Sequence, residues 1–223
     1  MKLSETTVSI LKNFSAINPN IIFKEGNAIS TISEAKNIMA SATIPESIPR
    51  EFGIYDLNEF LSTISLIDDP MLEFGQQSIN ISDGTSNIEY FYSSPELLTT
   101  PSKSVNMPKA DVTVALSADL INKIKKAAAV LGHPTLQFSG NNGVISAKIV
   151  DLKNPTANKY SVVMDAKNAC KEVFSFVTVI GNLKMLSGDY TVSLSSKLIS
   201  HFKNNSAPVE YWIALEKNST FAS

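Results

Sequence analysis

Residues 116–132, LSADLINKIKKAAAVLG, follow the pattern of residues 3–19, LSETTVSILKNFSAINP. Val8, Leu11, Lys12 and Ile17 of the earlier stretch fall where Ile121, Ile124, Lys125 and Val130 fall in the later one. Apolar residues three and four apart share one face of a helix, and a serine just ahead of them can accept from the free N–H groups of the first turn. Both stretches therefore read as helices, capped by Ser4 and Ser117 and ended by Asn18-Pro19 and by Gly132. Each runs into a strand, residues 20–24 or 135–139, with Gly26 or the Gly140-Asn141-Asn142-Gly143 turn behind it. At the far end of each half, Glu89-Tyr90-Phe91-Tyr92 answers Glu210-Tyr211-Trp212-Ile213. Self-similar halves mean one supersecondary unit used twice; chance likeness between two α+β domains is the competing reading.

The remaining pattern fills in both halves. Residues 55–65 read as a second helix with Leu57, Phe60, Leu61 and Ile64 in one apolar stripe, and residues 180–186, before Ser187-Gly188, read as its shorter counterpart. Strand-like runs cover 78–81, 112–116, 144–150, 160–164, 173–179, 190–194 and 209–215. Between the halves lies a Pro/Ser/Thr-rich connector, residues 93–110, in which Pro95, Pro101 and Pro108 oppose helix and central strand. The expected domains are 1–110, connector included, and 111–223. The fold class is α+β: two similar sheet-rich domains, each with two helices.

Bulk composition narrows the function classes. The 223 residues are 43% hydrophobic and 18% charged, enough apolar surface for a core and too little charge for a disordered chain. The single cysteine, Cys170, cannot form an internal disulfide. Polar residues come too early at the N-terminus for a signal peptide, and no run approaches the roughly 20 apolar residues of a membrane span, so no membrane partner is expected. A net charge of -2 argues, taken alone, against nucleic-acid binding. It is unevenly spread: residues 1–110 hold 7 Lys+Arg and 13 Asp+Glu, and residues 111–223 hold 12 and 8, so the halves carry -6 and +4.

Catalytic chemistry finds no foothold. The nine glycines never take phosphate-loop spacing. His133 and His201 lie far apart, and with one cysteine no zinc site assembles by local spacing. Asp68-Asp69 with Glu73 is the nearest thing to a carboxylate cluster, but beside Pro70 it reads as a solvated turn. Cys170, between Lys167 and Lys171, has no histidine near in sequence and reads as a loop thiol. No catalytic residue, metal ligand or cofactor is assigned.

The helix after Ser117 is more informative. Leu120, Ile124, Ala127, Ala128 and Leu131 are expected on its core face, with Asn122, Lys125, Lys126 and Ala129 opposite and Lys123 at the border. Lys12 takes the matching place on the first helix, and Lys184 falls on the last short helix. Any solvated helix shows a charged side. Here, however, only Arg50 of the 19 cationic residues is arginine. Lysine is a hydrated point charge without the planar fork used for base readout, so a lysine surface attracts phosphates without reading sequence or gripping one register.

Ordered strings across the chain then become recognisable. MKLS with Leu11-Lys12-Asn13-Phe14 and Ile17-Asn18, Ile54-Tyr55-Asp56-Leu57-Asn58 with Phe60-Leu61 and Ser65-Leu66, Asn182-Leu183-Lys184-Met185 with Gly188-Asp189-Tyr190, and residues 211–215 with Ser219-Thr220 resemble the sliding clamps of T4-type bacteriophages. Residues 71–115 match least. The resemblance implies a DNA polymerase processivity factor: a head-to-tail homotrimeric ring, sheets outside and helices inside, around double-stranded DNA without sequence specificity. It implies a replicative DNA polymerase and an ATP-driven clamp loader as partners, with a late-transcription sigma-like factor and coactivator besides. It also implies no catalysis, no cofactor, and residence in the cytoplasm of the infected bacterial host.

On that resemblance Lys12, Lys123, Lys125, Lys126 and Lys184, with Lys2 as a weaker candidate, are expected to face DNA. Subunits are expected to join where residues 87–92 add edge-on to residues 159–164 of the neighbour, placing Tyr90, Phe91, Tyr160 and Val162 at the contact. Tyr90 and Phe91 read equally well as core. A partner-peptide pocket is expected from Val105, Met107 and Pro108 with Tyr211, Trp212 and Leu215, and residues 217–223 at its rim; strand alternation turns about half of residues 209–215 into the core. A phage structural or assembly protein of tandem α+β domains, without DNA encirclement, is the alternative.

Overall fold

The Ser4 hydroxyl accepts the Thr7 N–H at 3.2 Å, and helix α1 (Glu5–Ile17) begins there. The computed structural model describes residues 1–101, 105–164 and 171–222, and contacts divide the chain into Met1–Ser104 and Val105–Ser223.

In the first unit α1 buries Thr7, Ile10, Leu11, Phe14 and Ile17. It is followed by β1 (Ile21–Phe23), β2 (Gly26–Ile32), β3 (Ile38–Ile48) and β4 (Phe52–Ile54). Helix α2 (Leu57–Ile64) then buries Leu57, Phe60, Leu61 and Ile64, its expected stripe, and is capped by the Asp56 carboxylate. Strands β5 (Met71–Phe74), β6 (Ser78–Ser82) and β7 (Asn87–Phe91) complete the unit. Pairing is antiparallel throughout: β1 with β4, β2 with β3, and β5–β6–β7 in sequence. A cluster of Phe52 with Phe23, Phe74 and Tyr92, centroids 4.7–5.5 Å apart, ties β4 to its neighbours.

The second unit repeats this order. Strand β8 (Val112–Leu116) leads into α3 (Ala118–Leu131), then β9 (Thr135–Asn141), β10 (Val144–Val150), β11 (Tyr160–Met164) and β12 (Phe174–Val179). After a 3-10 turn at Ile180–Asn182 come β13 (Tyr190–Ser195), β14 (Ile199–Asn204), β15 (Val209–Ala214) and the short β16 (Thr220–Phe221). The pairs β9–β12, β10–β11 and β13–β14–β15 answer β1–β4, β2–β3 and β5–β6–β7. The pairing of β8 with β13 has its counterpart too: Met1 and Leu72 exchange two backbone hydrogen bonds of 2.7 Å. The internal repeat thus holds for most elements; α2 is answered only by the 3-10 turn, and β16 has no counterpart.

Turn chemistry follows the local sequence. Asn142 and Gly143 both have positive φ, +50° and +81°, the paired geometry of a tight hairpin between β9 and β10. Gly140 lies opposite Phe174, and a Cβ there would come 2.1 Å from the ring. Gly132, at φ +68°, ends α3 in the left-handed region.

Two readings need correction. Of residues 180–186 only Ile180–Asn182 form a 3-10 turn and no α-helix follows, because Val179 supplies no side-chain cap and Gly181 sits within the first turn, whereas α2 has Asp56. Strands β2, β3, β4, β5, β14 and β16 escape the sequence pattern; in β3, Pro45 removes a donor at an exposed position of an 11-residue strand.

The N-terminus of α3 is capped twice, by Ser117 accepting from Leu120 and by Asp189 accepting from Ala118 at 2.8 Å. Ser117→Ala should lower unfolding free energy by about 1 kcal/mol, read as a lower urea midpoint at constant slope, and Ser117→Ala with Asp189→Ala by more than either alone.

Candidate functional site

Helix α3 gives its core side to Ile121, Ile124 and Ala128, leaving Leu120, Ala127 and Leu131 half-buried and Asn122, Lys123, Lys126, Ala129 and Val130 exposed. This rotates the helix by about one residue from the face read in sequence, where Leu120 stood in place of Ile121. Lys12 and Lys125 lie equally far beyond their capping serines, Ser4 and Ser117, but in different surroundings. Lys12 stands exposed on α1, whereas Lys125 is half-buried.

Tyrosines set the surroundings of Lys125. The buried Tyr211 hydroxyl accepts the Leu186 N–H at 3.0 Å, and Tyr190 donates to the Leu186 carbonyl. The segment so held lies beside α3, where Met185, Leu186 and Gly188 line a small cavity with Lys125. Desolvation there lowers the Lys125 pKa, with no carboxylate partner among the described residues to offset it. The fold thus keeps a charge where an apolar side chain would be cheaper, a pattern found more often at working surfaces than elsewhere.

The other candidate cations differ in freedom. Lys123 is bridged to Asp119 one turn earlier at 2.7 Å, and that hydrogen bond raises its pKa. Lys2 is paired with Asp69. Lys184 is exposed but follows the 3-10 turn rather than lying on a helix. Lys126 is exposed on α3. On the first unit, Lys12 borders a groove between α1 and α2 whose other polar lining is Asn58, Ser62 and Ser65. Arg50, the lone arginine, donates to the Gly75 carbonyl.

Among the strands that end a sheet are β7 and β11, the two expected at the subunit contact. Strand β7 pairs only with β6, and β11 only with β10, among the described residues. Tyr90 turns inward, its ring 5.1 Å from Phe60 and its hydroxyl 3.4 Å from Glu59. Burial first, and then the Glu59 and Asp56 charges, push its pKa up to about 12. Phe91 points outward and is 63% exposed. On β11, Tyr160 and Val162 are half-buried while Val163 is exposed. Between α3 and β11 runs a groove of about 430 Å³ lined by Ala127, Val130, Leu131 and Tyr160, with Lys123, Lys126 and Lys159 around it. Sequence reading missed this groove: Val130, matched to the buried Ile17 by the repeat, is 76% exposed.

The expected peptide-pocket residues separate. Tyr211 and Leu215 are core, a correction explained by alternation: Val209, Tyr211 and Ile213 turn inward, and Glu210 and Trp212 do not. Trp212 stacks on His201, whose Nε2 lies 2.8 Å from Glu210. Val105, Met107 and Pro108 are half-buried on the segment leading into β8. A cavity of about 690 Å³ elsewhere in the second unit is lined by Pro134, Leu152, Val177, Thr178, Glu216 and Asn218 among others. The Thr178 hydroxyl there is buried without a partner. Of residues 217–223, expected at the rim of the other pocket, Asn218 lines this cavity instead.

No group of three or more His, Cys, Asp or Glu side chains with metal-site geometry occurs among the described residues, and no helix there is long and apolar enough to cross a membrane. Asp68 and Asp69 are exposed in a turn, and Cys170 lies outside the described residues.

Comparison with known proteins gives a consistent picture. The family model for DNA polymerase processivity factors matches residues 2–100. The chain is 30% identical to the sliding clamp of Escherichia phage RB69 over 228 residues, 99% of each chain. It is 29% identical to the sliding clamp of Vibrio phage KVP40 over 222 residues, 97% of this chain and 99% of that one. Among solved structures, proliferating cellular nuclear antigen of Entamoeba histolytica matches with a TM-score of 0.68 at 13% identity, covering 96% of this chain and 97% of that one. PCNA of A. fulgidus, bound to the C-terminal region of FEN-1, matches with 0.69 at 12% identity over 98% of each chain. These structural matches establish the DNA-clamp fold.

Lys125→Met keeps the packed stem and removes the desolvated charge. Unfolding free energy at pH 7 should rise, while Lys126→Met should leave it within about 0.5 kcal/mol. Because the folded state disfavours the charged Lys125, wild type gains stability as pH climbs toward 10.5, and the gap to Lys125→Met should narrow there in urea titrations.

Proposed function

The chain belongs to the sliding-clamp family of DNA polymerase processivity factors, and from that membership we propose that it encircles duplex DNA as a head-to-tail homotrimer and tethers a replicative polymerase. The observation that carries this reading is the exposed Lys12 and Lys126 on helices α1 and α3, whose other sides are core, with the one arginine engaged in its own unit. Lys12, Lys125, Lys126 and Lys184 are the DNA-facing candidates; Lys2 and Lys123, each held by a carboxylate, contribute less. Point charges of this kind attract a phosphate backbone without fixing a register, as a sliding protein requires.

Ring closure follows from the open strands. An edge strand is a template for pairing, and β7 of one copy adding to β11 of the next joins unlike surfaces, which closes into a ring when the rotation allows. Phe91 and Val163, both exposed, are the apolar side chains nearest that joint, alongside Tyr90, Tyr160 and Val162. A trimer would have a mass of about 73 kDa, three times the 24.2 kDa chain.

Partner binding belongs to the second unit in this reading. The Thr178 cavity offers apolar walls and one unsatisfied hydroxyl, the make-up of a site for a short apolar peptide. The A. fulgidus relative binds a C-terminal segment of another protein. Opening by an ATP-driven clamp loader, coupling to late transcription through a sigma-like factor and coactivator, and work in the host cytoplasm complete the proposal. The clamp itself acts by topology rather than by catalysis.

The test is retention on DNA. With the matching loader and ATP, the protein should stay on nicked circular DNA and leave once the circle is cut. Lys125→Glu with Lys126→Glu should shorten that retention severalfold at low salt. A protein that never becomes linked to circular DNA would sink the reading in favour of an assembly role, and unchanged retention in the double variant would remove these lysines from the DNA face.

A further inference from the structure

The groove between α3 and β11 lies beside an open strand, and so does a complementary surface on the first unit. Leu66 is 77% exposed just beyond α2, and its N–H still bonds to the Thr63 carbonyl, so it continues the helical path. Glu59, Thr63 and Leu66 are spaced four and three apart and form one line along that helix. The line runs on the side facing β7, since Glu59 meets the Tyr90 hydroxyl and Phe60 meets its ring. Asp56 adds a second carboxylate, and α2 contains no basic residue.

The two surfaces match in kind. One carries acid and a bare leucine beside an edge strand; the other carries three lysines around a bare valine beside an edge strand. Asp119, bridged to Lys123, offsets only part of the positive charge. Lys159 and Tyr160 share the groove with Val130 and Leu131, at the C-terminal end of α3.

We propose that the Glu59–Thr63–Leu66 line of one copy seats in the Val130–Tyr160 groove of the next copy, as a helix layer beneath the pairing of β7 with β11. This rests on the ring reading and deepens it by naming the second element of the joint. Lys159 and Lys123 then serve the subunit contact, and Lys126, which also lines the groove, stands between that contact and DNA. Acid on the first unit's surface and lysine on the second's disfavour head-to-head pairing, which a bare strand edge would tolerate. Ring stability becomes dependent on ionic strength, because exposed pairs are screened.

The experiment is sedimentation equilibrium of the full chain at low and high salt, with circular dichroism to confirm folding. Glu59→Lys and Lys159→Glu should each weaken association at low salt at least tenfold, since every ring loses three contacts. The double variant should recover most of that loss, and all differences should shrink in 1 M salt. Val130→Glu should weaken association at both salt concentrations. Single variants that associate within twofold of wild type, or a double variant no better than the worse single, would overturn the groove assignment while leaving the ring intact. A wild type that stays monomeric at every concentration, and never links to circular DNA, defeats the ring reading itself and the groove with it.

Discussion

A helix laid on a sheet has one side to give to the core, and in this chain the rotation of each helix decides what its other side can do. Burying a large apolar side chain contributes roughly 1.5–3 kcal/mol, against about 1 kcal/mol for a serine cap. The stripe therefore sets the rotation and the cap only the starting point. Helix α1 commits five residues from Thr7 to Ile17, while α3 commits Ile121, Ile124 and Ala128. The offset between these stripes leaves Lys12 free in water, lays Lys125 against residues 185–188, and turns Val130 outward.

Much of the fold is written in local chemistry, which is why it was legible. Ser4, Ser117, Gly132 and the α2 stripe act over one or two turns, and the runs at 112–116, 144–150 and 160–164 alternate as half-buried strands do. The α3 face was harder, because Leu120 and Ile121 are adjacent apolar residues and periodicity alone does not choose between them. The 3-10 turn at Ile180–Asn182 was misread because its apolar spacing outweighed a missing cap. Tyr211, expected in a pocket, is an internal strut, buried with its hydroxyl accepting the Leu186 N–H.

The candidate surfaces were the least legible part, for a topological reason. Whether a strand has a neighbour depends on where the chain goes afterwards, so nothing within residues 87–91 or 160–164 declares them edges. Exposure was equally hidden: Phe91, Val163, Val130 and Leu66 look like core residues by type, and only placement reveals that each meets solvent. Four such side chains beside two open strands are costly for an isolated subunit, which gives a second copy something to cover.

The charge balance takes on a different meaning in this light. A net charge of -2 describes the far field, yet a phosphate within a Debye length of about 10 Å responds to the nearest helices. There the cations are lysines, and the single arginine is spent on the Gly75 carbonyl. Arginine's planar fork rewards one bidentate pose, and leaving that pose costs two hydrogen bonds at once. A lysine ammonium exchanges one phosphate oxygen for the next, or for water, at nearly constant energy. For a ring proposed to move along a duplex, a flat energy profile matters more than depth, so the choice of lysine over arginine favours motion as much as attraction.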